Sequence, residues 1–89
     1  MYTIDVCKTI DNFYNRADTY KNAIEKCDSL SRMTRIVTGY ERLMTEWVYV
    51  AKMLLKIPDM KVHIKVLACT RTLFDIGEIA KRKSRELFS

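Results

Sequence analysis

The sequence predicts an all-α fold, an antiparallel up-down-up three-helix bundle, in a single domain that spans residues 1–89. Each third of the chain carries apolar residues at alternating spacings of four and three, which places them on one side of an α-helix. Residues that favour turns separate the thirds. Only two glycines and one proline occur in 89 residues, so little of the chain is left for loops.

The first helix is predicted to cover about residues 3–27. Its core-facing series is Val6, Ile10, Phe13, Ala17, Tyr20, Ile24 and Cys27. The spacing then slips at Asp28, Ser29 and Ser31, which are residue types that favour N-caps and turns over helix interiors. We therefore expect a tight turn. The alternative is one long helix that runs through the slip, and that arrangement would require a partner chain.

The second and third helices are predicted to cover about residues 30–56 and 59–87. Their core-facing series are Met33, Val37, Tyr40, Met44, Trp47, Ala51 and Leu54, then Val62, Val66, Cys69, Leu73, Ile76, Ala80 and Leu87. Pro58 ends the second helix because proline disfavours helical geometry in the residue before it. Asp59 is the predicted N-cap of the third helix. Gly77 lies inside that helix, and we expect it to allow close approach of a neighbouring helix.

Apolar residues outside these series predict an interface. The third helix carries a second stripe, and the second helix adds residues at the edge of its series: Met60, Ile64, Leu67 and Phe74, with Val48 and Leu55. The first helix repeats the pattern weakly with Ile4, Cys7 and Tyr14. A contiguous exposed apolar patch usually marks a binding site, so we expect a subunit or partner interface here. The alternative is a broad core with scattered exposed side chains.

The net charge of +5 allows nucleic acid, an anionic membrane or an acidic protein as partner. An up-down-up bundle brings one group of basic residues, the basic pole, to the same end: Lys26, Arg32, Arg35, Lys81, Arg82, Lys83 and Arg85. Such a pole is able to hold phosphates, although no nucleic-acid-binding motif accompanies it. Stabilisation of the last helical turn by its cations is the simpler explanation of the cluster. At the opposite end Lys52, Lys56, Lys61 and Lys65 surround the second stripe, which favours an acidic protein partner.

No pattern in the chain predicts catalysis, a metal site or a cofactor. The only histidine, His63, lies beside the core-facing series of the third helix, where a structural role is expected. Cys7, Cys27 and Cys69 lack metal-ligand spacing and are expected to be reduced thiols in a cytoplasmic protein. No apolar run is long enough for a membrane span, and no signal peptide is recognised.

These observations predict a small non-enzymatic helical interaction module, such as an adaptor, inhibitor or assembly subunit. It would act through the apolar face of the third helix and form a homo-oligomer. The alternative is a helical bundle that binds nucleic acid through the basic pole without sequence preference. Salt dependence distinguishes the two, because phosphate binding weakens steeply as salt rises. A basic helical chain of this size would also suit a viral or phage accessory protein.

Overall fold

Three helices make up the computed structural model, which describes residues 5–88: α1 (Val6–Lys26), α2 (Leu30–Leu54) and α3 (Met60–Phe88). Each helix packs against the other two, and the described residues contain no strand, so the predicted all-α three-helix bundle is confirmed. The bundle is elongated, with principal extents of 52 × 19 × 17 Å. Helix α2 runs antiparallel to both α1 and α3.

The first turn forms where the apolar spacing slips. Helix α1 ends at Lys26, and Cys27 adopts an extended backbone. The Ser29 hydroxyl accepts a hydrogen bond of 3.3 Å from the backbone N–H of Arg32, which caps α2. The alternative of one continuous helix is therefore wrong.

The second turn begins slightly earlier than predicted, because α2 ends at Leu54 rather than at residue 56. Asp59 accepts a hydrogen bond of 2.9 Å from the backbone N–H of Lys61, as expected of an N-cap. The Nε2 atom of His63 lies 2.7 Å from the carbonyl oxygen of Ile57 and donates to it. This contact ties the first turn of α3 to the preceding loop.

The core consists mainly of residues from the predicted apolar series, with one addition. Its buried residues are Ile10, Phe13, Ala17, Ile24, Cys27, Met33, Tyr40, Leu43, Trp47, Ala51, Leu54, Val66, Cys69, Leu73, Ile76 and Ala80. Leu43 is fully buried although it lies outside the predicted series. Helix α2 packs against both neighbours, so its buried face is wider than one line of residues. Six residues of the predicted series are only partly buried and pack against the core: Val6, Tyr20, Val37, Met44, Val62 and Leu87.

Trp47 connects all three helices near the middle of the bundle. Its indole N–H donates a hydrogen bond of 2.9 Å to the Thr70 hydroxyl of α3. Its ring meets the Phe13 ring of α1 edge to face, with centroids 5.0 Å apart. The guanidinium of Arg16 lies over Phe13 and pairs with Glu46 of α2 at 2.7 Å.

Both glycines lie where a tyrosine hydroxyl from another helix approaches the backbone. A Cβ atom on Gly77 would lie 2.9 Å from the Tyr40 hydroxyl, which donates a hydrogen bond to the carbonyl of Leu73. A Cβ atom on Gly39 would lie 2.7 Å from the Tyr20 hydroxyl. The close approach expected at Gly77 is therefore made by one side chain of the neighbouring helix and not by its backbone. Burial raises the pKa of Tyr40, and hydrogen bonding to the backbone of Gly77 partly opposes this rise.

Candidate interaction surface

Helix α3 presents large apolar side chains to solvent on several successive turns. The exposed fractions are 70% for Met60, 59% for Ile64, 65% for Leu67 and 59% for Phe74. Their spacing keeps them on one side of α3, away from the buried series. An ordered row of this kind differs from the single exposed apolar residues found on most proteins.

Helix α2 extends this row on the side that faces α3. The contacts of Trp47 with Thr70 and of Tyr40 with Leu73 define which sides of the two helices meet. Helical periodicity places Val48 and Leu55 toward the outer edge of that contact. They are 47% and 45% exposed. We call the six residues together the apolar surface: Met60, Ile64, Leu67, Phe74, Val48 and Leu55.

A hollow continues the apolar surface toward the other end of the groove between α2 and α3. Its volume is about 340 Å³, and its lining residues are Val37, Tyr40, Glu41, Gly77, Ala80, Lys81, Ser84 and Arg85. Gly77 has no side chain to fill this space. Beyond the hollow, Leu30 and Phe88 line a second depression of about 350 Å³, and Phe88 is 82% exposed. Apolar groups therefore follow the groove along the length of α3.

Charged residues interrupt this face at defined places. Arg71 lies between Leu67 and Phe74 in the row on α3 and has no ion-pair partner within residues 5–88. One turn after Phe74, Glu78 forms an exposed pair with Lys81 at 3.5 Å. Arg71 is thus a cation within an apolar row, without an ion pair in the described part of the chain.

The opposite groove, between α1 and α3, has a different character. The Nζ atom of Lys65 lies 3.1 Å from the sulfur of Cys7, and this hydrogen bond raises the pKa of Lys65. Lys65 therefore lies on the α1 side of α3, away from the lysines with which the sequence grouped it. The weak stripe predicted on the first helix does not reach the apolar surface, since Cys7 faces Lys65 and Tyr14 is partly buried against the core. Ile4 falls outside the described residues.

The basic pole is divided between two faces of the bundle. Arg82 and Lys83 line a groove of about 460 Å³ between α1 and α3, together with Lys21, Glu25, Ile79 and Glu86. Lys81 and Arg85 line the hollow between α2 and α3 beside Glu41. Arg32 lies 3.8 Å from Asp28, and Lys26 and Arg35 are exposed at the same end. The seven cations therefore share one end of the bundle without forming one continuous patch.

The residues that carry reactive side chains are dispersed. Cys27 and Cys69 are buried in the core, and burial raises the pKa of the Cys69 thiol to about 11. Among residues 5–88 no three histidine, cysteine or acidic side chains are grouped so as to hold a metal ion. Within the same range, none of the helices combines the length and apolarity required to cross a bilayer.

The chain matches no protein-family model, no curated protein and no solved structure. The functional argument therefore depends on the exposed surfaces of the bundle.

Proposed function

We propose that this protein is a non-enzymatic helical interaction module that docks through the apolar surface and works as a homo-oligomer. One observation carries the proposal, namely that six large apolar side chains are 45–70% exposed along one face of α2 and α3. No polar residue of the same chain folds over them within residues 5–88.

The size of the apolar surface supports this proposal. Its exposed fractions correspond to on the order of 600 Å² of apolar area, the upper end of the range for the largest patch of a typical monomer. Removing this area from water is worth on the order of 15 kcal/mol per copy before any costs. Lost rigid-body freedom opposes this gain by about 4–15 kcal/mol, and side-chain ordering adds to that cost. An interface that covers the whole surface is therefore needed for stable association.

The surroundings of the apolar surface favour two kinds of partner. A second copy presents an equally large apolar face, which is the reason that we place self-association first. Lys52, Lys56 and Lys61 are exposed around the turn between α2 and α3, and they would steer an acidic protein toward the same face. The homo-oligomer and the acidic partner would then compete for one site.

Light scattering on two matched variants tests the proposal. Ile64→Glu places a charge within the apolar surface, whereas Tyr49→Glu changes a residue of α2 that is 72% exposed and lies outside that surface. We expect Ile64→Glu to have the 10.5 kDa mass of a single chain, and both Tyr49→Glu and the wild type to have a multiple of it. Circular dichroism should show the same helicity in all three. A wild type that stays at 10.5 kDa at high protein concentration would reject self-association.

Binding of nucleic acid by the basic pole is the second candidate function. It is favoured by the meeting of Lys21, Arg82 and Lys83 in one groove, although Glu25 and Glu86 line the same groove. Phosphate contacts carry no base information, so this binding would be independent of sequence. Replacing Lys81, Arg82, Lys83 and Arg85 by glutamine should abolish a gel shift measured at low salt. The absence of a shift with wild-type protein and single- or double-stranded DNA or RNA would remove this candidate.

We further propose that the protein works in a reducing compartment such as the cytoplasm. The support is the set of three unpaired thiols, Cys7, Cys27 and Cys69. Cys7 is exposed and would be open to oxidation elsewhere. Thiol titration of protein isolated under alkylating conditions from its native cell tests this, and we expect Cys7 to be recovered as a free thiol. Recovery of Cys7 in a disulfide would contradict the assignment.

A further inference from the structure

We infer that the second copy docks antiparallel on the face formed by α2 and α3, with Phe74 on the two-fold axis. This inference rests on the proposed function, since it specifies how the apolar surface of one copy meets the other. It makes the interface isologous, so that each contact occurs twice.

The spacing of residues along α3 defines the register. The four-three series of the outer face is Met60, Ile64, Leu67, Arg71, Phe74, Glu78, Lys81, Arg85 and Phe88. This series is nearly symmetric about Phe74. An antiparallel pair centred there places Met60 against Phe88 of the second copy, 14 positions on either side of the axis. The two Phe74 rings meet at the centre, where aromatic pairs gain from direct contact.

The charges on this face favour the antiparallel arrangement over the parallel one. Centred on Phe74, the antiparallel pair brings Arg71 of each copy against Glu78 of the other. Arg71 has no ion-pair partner among residues 5–88, and the exposed pair of Glu78 with Lys81 is weak enough to be exchanged. A parallel pair would instead place Arg71, Glu78, Lys81 and Arg85 each against its own counterpart. Four like-charge contacts would then oppose association.

The hollow between α2 and α3 fits the same register. Leu67 lies seven positions before Phe74, and Lys81 lies seven positions after it. Leu67 of one copy therefore arrives over the hollow of the other, whose volume of about 340 Å³ accommodates an apolar side chain. Lys81 and Arg85 at the rim are able to lay their aliphatic stems over it while their charged ends stay in water.

Area also favours this register over one centred closer to the start of α3. Specific dimers bury about 800 Å² per partner. The apolar surface alone offers less, on the order of 600 Å². Including the hollow and Phe88 closes this difference. A two-fold axis between Ile64 and Leu67 would leave the hollow empty, and it would bring Arg71 beside Met60 and Lys61 of the second copy.

Disulfide trapping between two chains that each carry one introduced cysteine tests the inference. Cys7→Ser removes the exposed native thiol, and Met60→Cys and Phe88→Cys are then introduced on separate chains. Both native side chains are exposed, at 70% and 82%, so neither change disturbs the core. In the antiparallel register the two new thiols meet, whereas in a parallel pair they lie about 42 Å apart. A register centred between Ile64 and Leu67 leaves them well over 20 Å apart.

We expect mild oxidation of the mixed chains to yield a dimer that joins position 60 to position 88. A dimer that joins two chains through position 60 alone would overturn the inference in favour of a parallel pair. An oligomer that is seen by light scattering under reducing conditions but gives no link between positions 60 and 88 would overturn the register. If light scattering shows only single chains, the proposed self-association itself is rejected, and not only the antiparallel register.

A charge-reversal cycle gives an independent test. Arg71→Glu and Glu78→Arg each place like charges across the interface, and we expect either change to raise the dimer dissociation constant by about tenfold or more. The double variant restores opposite charges and should return to within about threefold of the wild type. Additive losses in the double variant would contradict the contact between Arg71 and Glu78 of the second copy.

Discussion

The two grooves that flank helix α3 differ in what they offer to another molecule. The groove between α1 and α3 is lined by charges, with Lys65 beside Cys7 near one end and Lys21, Glu25 and Arg82 near the other. The groove between α2 and α3 is bordered by exposed apolar residues, and its hollow beside Gly77 has charged side chains as well as apolar ones in its lining. The first groove presents mainly charged side chains, whereas large apolar side chains lie exposed beside the second.

This difference arises from the way that α3 distributes its residues around its axis. Its buried series faces both neighbours, and its large exposed apolar residues lie beyond the edge that faces α2. A helix that belongs only to a solvated bundle gains nothing from the second apolar row. The row on the α2 side is the surface through which we propose that the protein contacts another chain.

The largest contrast between the core and the apolar surface is expected at two adjacent residues of α3. Leu73 is fully buried, whereas Phe74 is 59% exposed. We expect Leu73→Asp to unfold the chain, because losing a buried leucine costs about 2–5 kcal/mol and burying an unpaired charge adds to that cost. Phe74→Asp should retain the helical circular dichroism and lose only the oligomer. Equal loss of helicity in both variants would mean that Phe74 belongs to the core.

The buried thiol of Cys69 in α3 gives the second largest expected effect. In the folded chain the Cys69 thiol has a pKa of about 11, compared with an ordinary value of 9.0. Since the unfolded chain loses this proton first, the free energy of unfolding should fall by on the order of 2 kcal/mol as the pH rises from about 9 to 11. Urea titrations across this range measure the slope, and Cys69→Ala should reduce it. A slope unchanged by Cys69→Ala would assign the alkaline loss to other groups, such as Tyr40.

A smaller effect is expected where glycine meets tyrosine. Gly77→Ala and Gly39→Ala should each destabilise the fold by about 1 kcal/mol, because overpacking outweighs the gain in helix propensity. Adding Tyr40→Phe should rescue Gly77→Ala, since the hydroxyl at 2.9 Å is removed and the next ring atom lies at 3.6 Å. Tyr20→Phe should not rescue Gly39→Ala, because a ring carbon remains at 2.9 Å. Thermal melts of the four variants compare these outcomes.

The helices were predictable from the sequence because spacing alone identifies the buried face of a helix. The spacing slip near Ser29 and the proline at position 58 also located both turns to within about two residues. Leu43 was missed because one line of residues underestimates a helix that packs on both sides. A second series through Ile36, Leu43 and Val50 was present and would have indicated it.

The exposed apolar face was predictable, but its surroundings were not. Sequence spacing gives the angle of a residue around its own helix and does not show which neighbour lies on which side. Lys65 was therefore grouped with the lysines around the apolar surface although it faces α1. For the same reason the sequence did not show that Val37, which packs against the core, also lines an open hollow.

Methionine oxidation of the unmodified protein tests the central claim most directly. Met60 belongs to the apolar surface and is 70% exposed, whereas Met53 lies on another side of α2 and is 56% exposed. Exposure governs how fast each thioether is oxidised. If the apolar surface is covered by a second copy, Met60 should become protected relative to Met53 as the protein concentration rises, and protection should disappear on dilution. Oxidation of Met60 that stays as fast as that of Met53 at every concentration would contradict the claim.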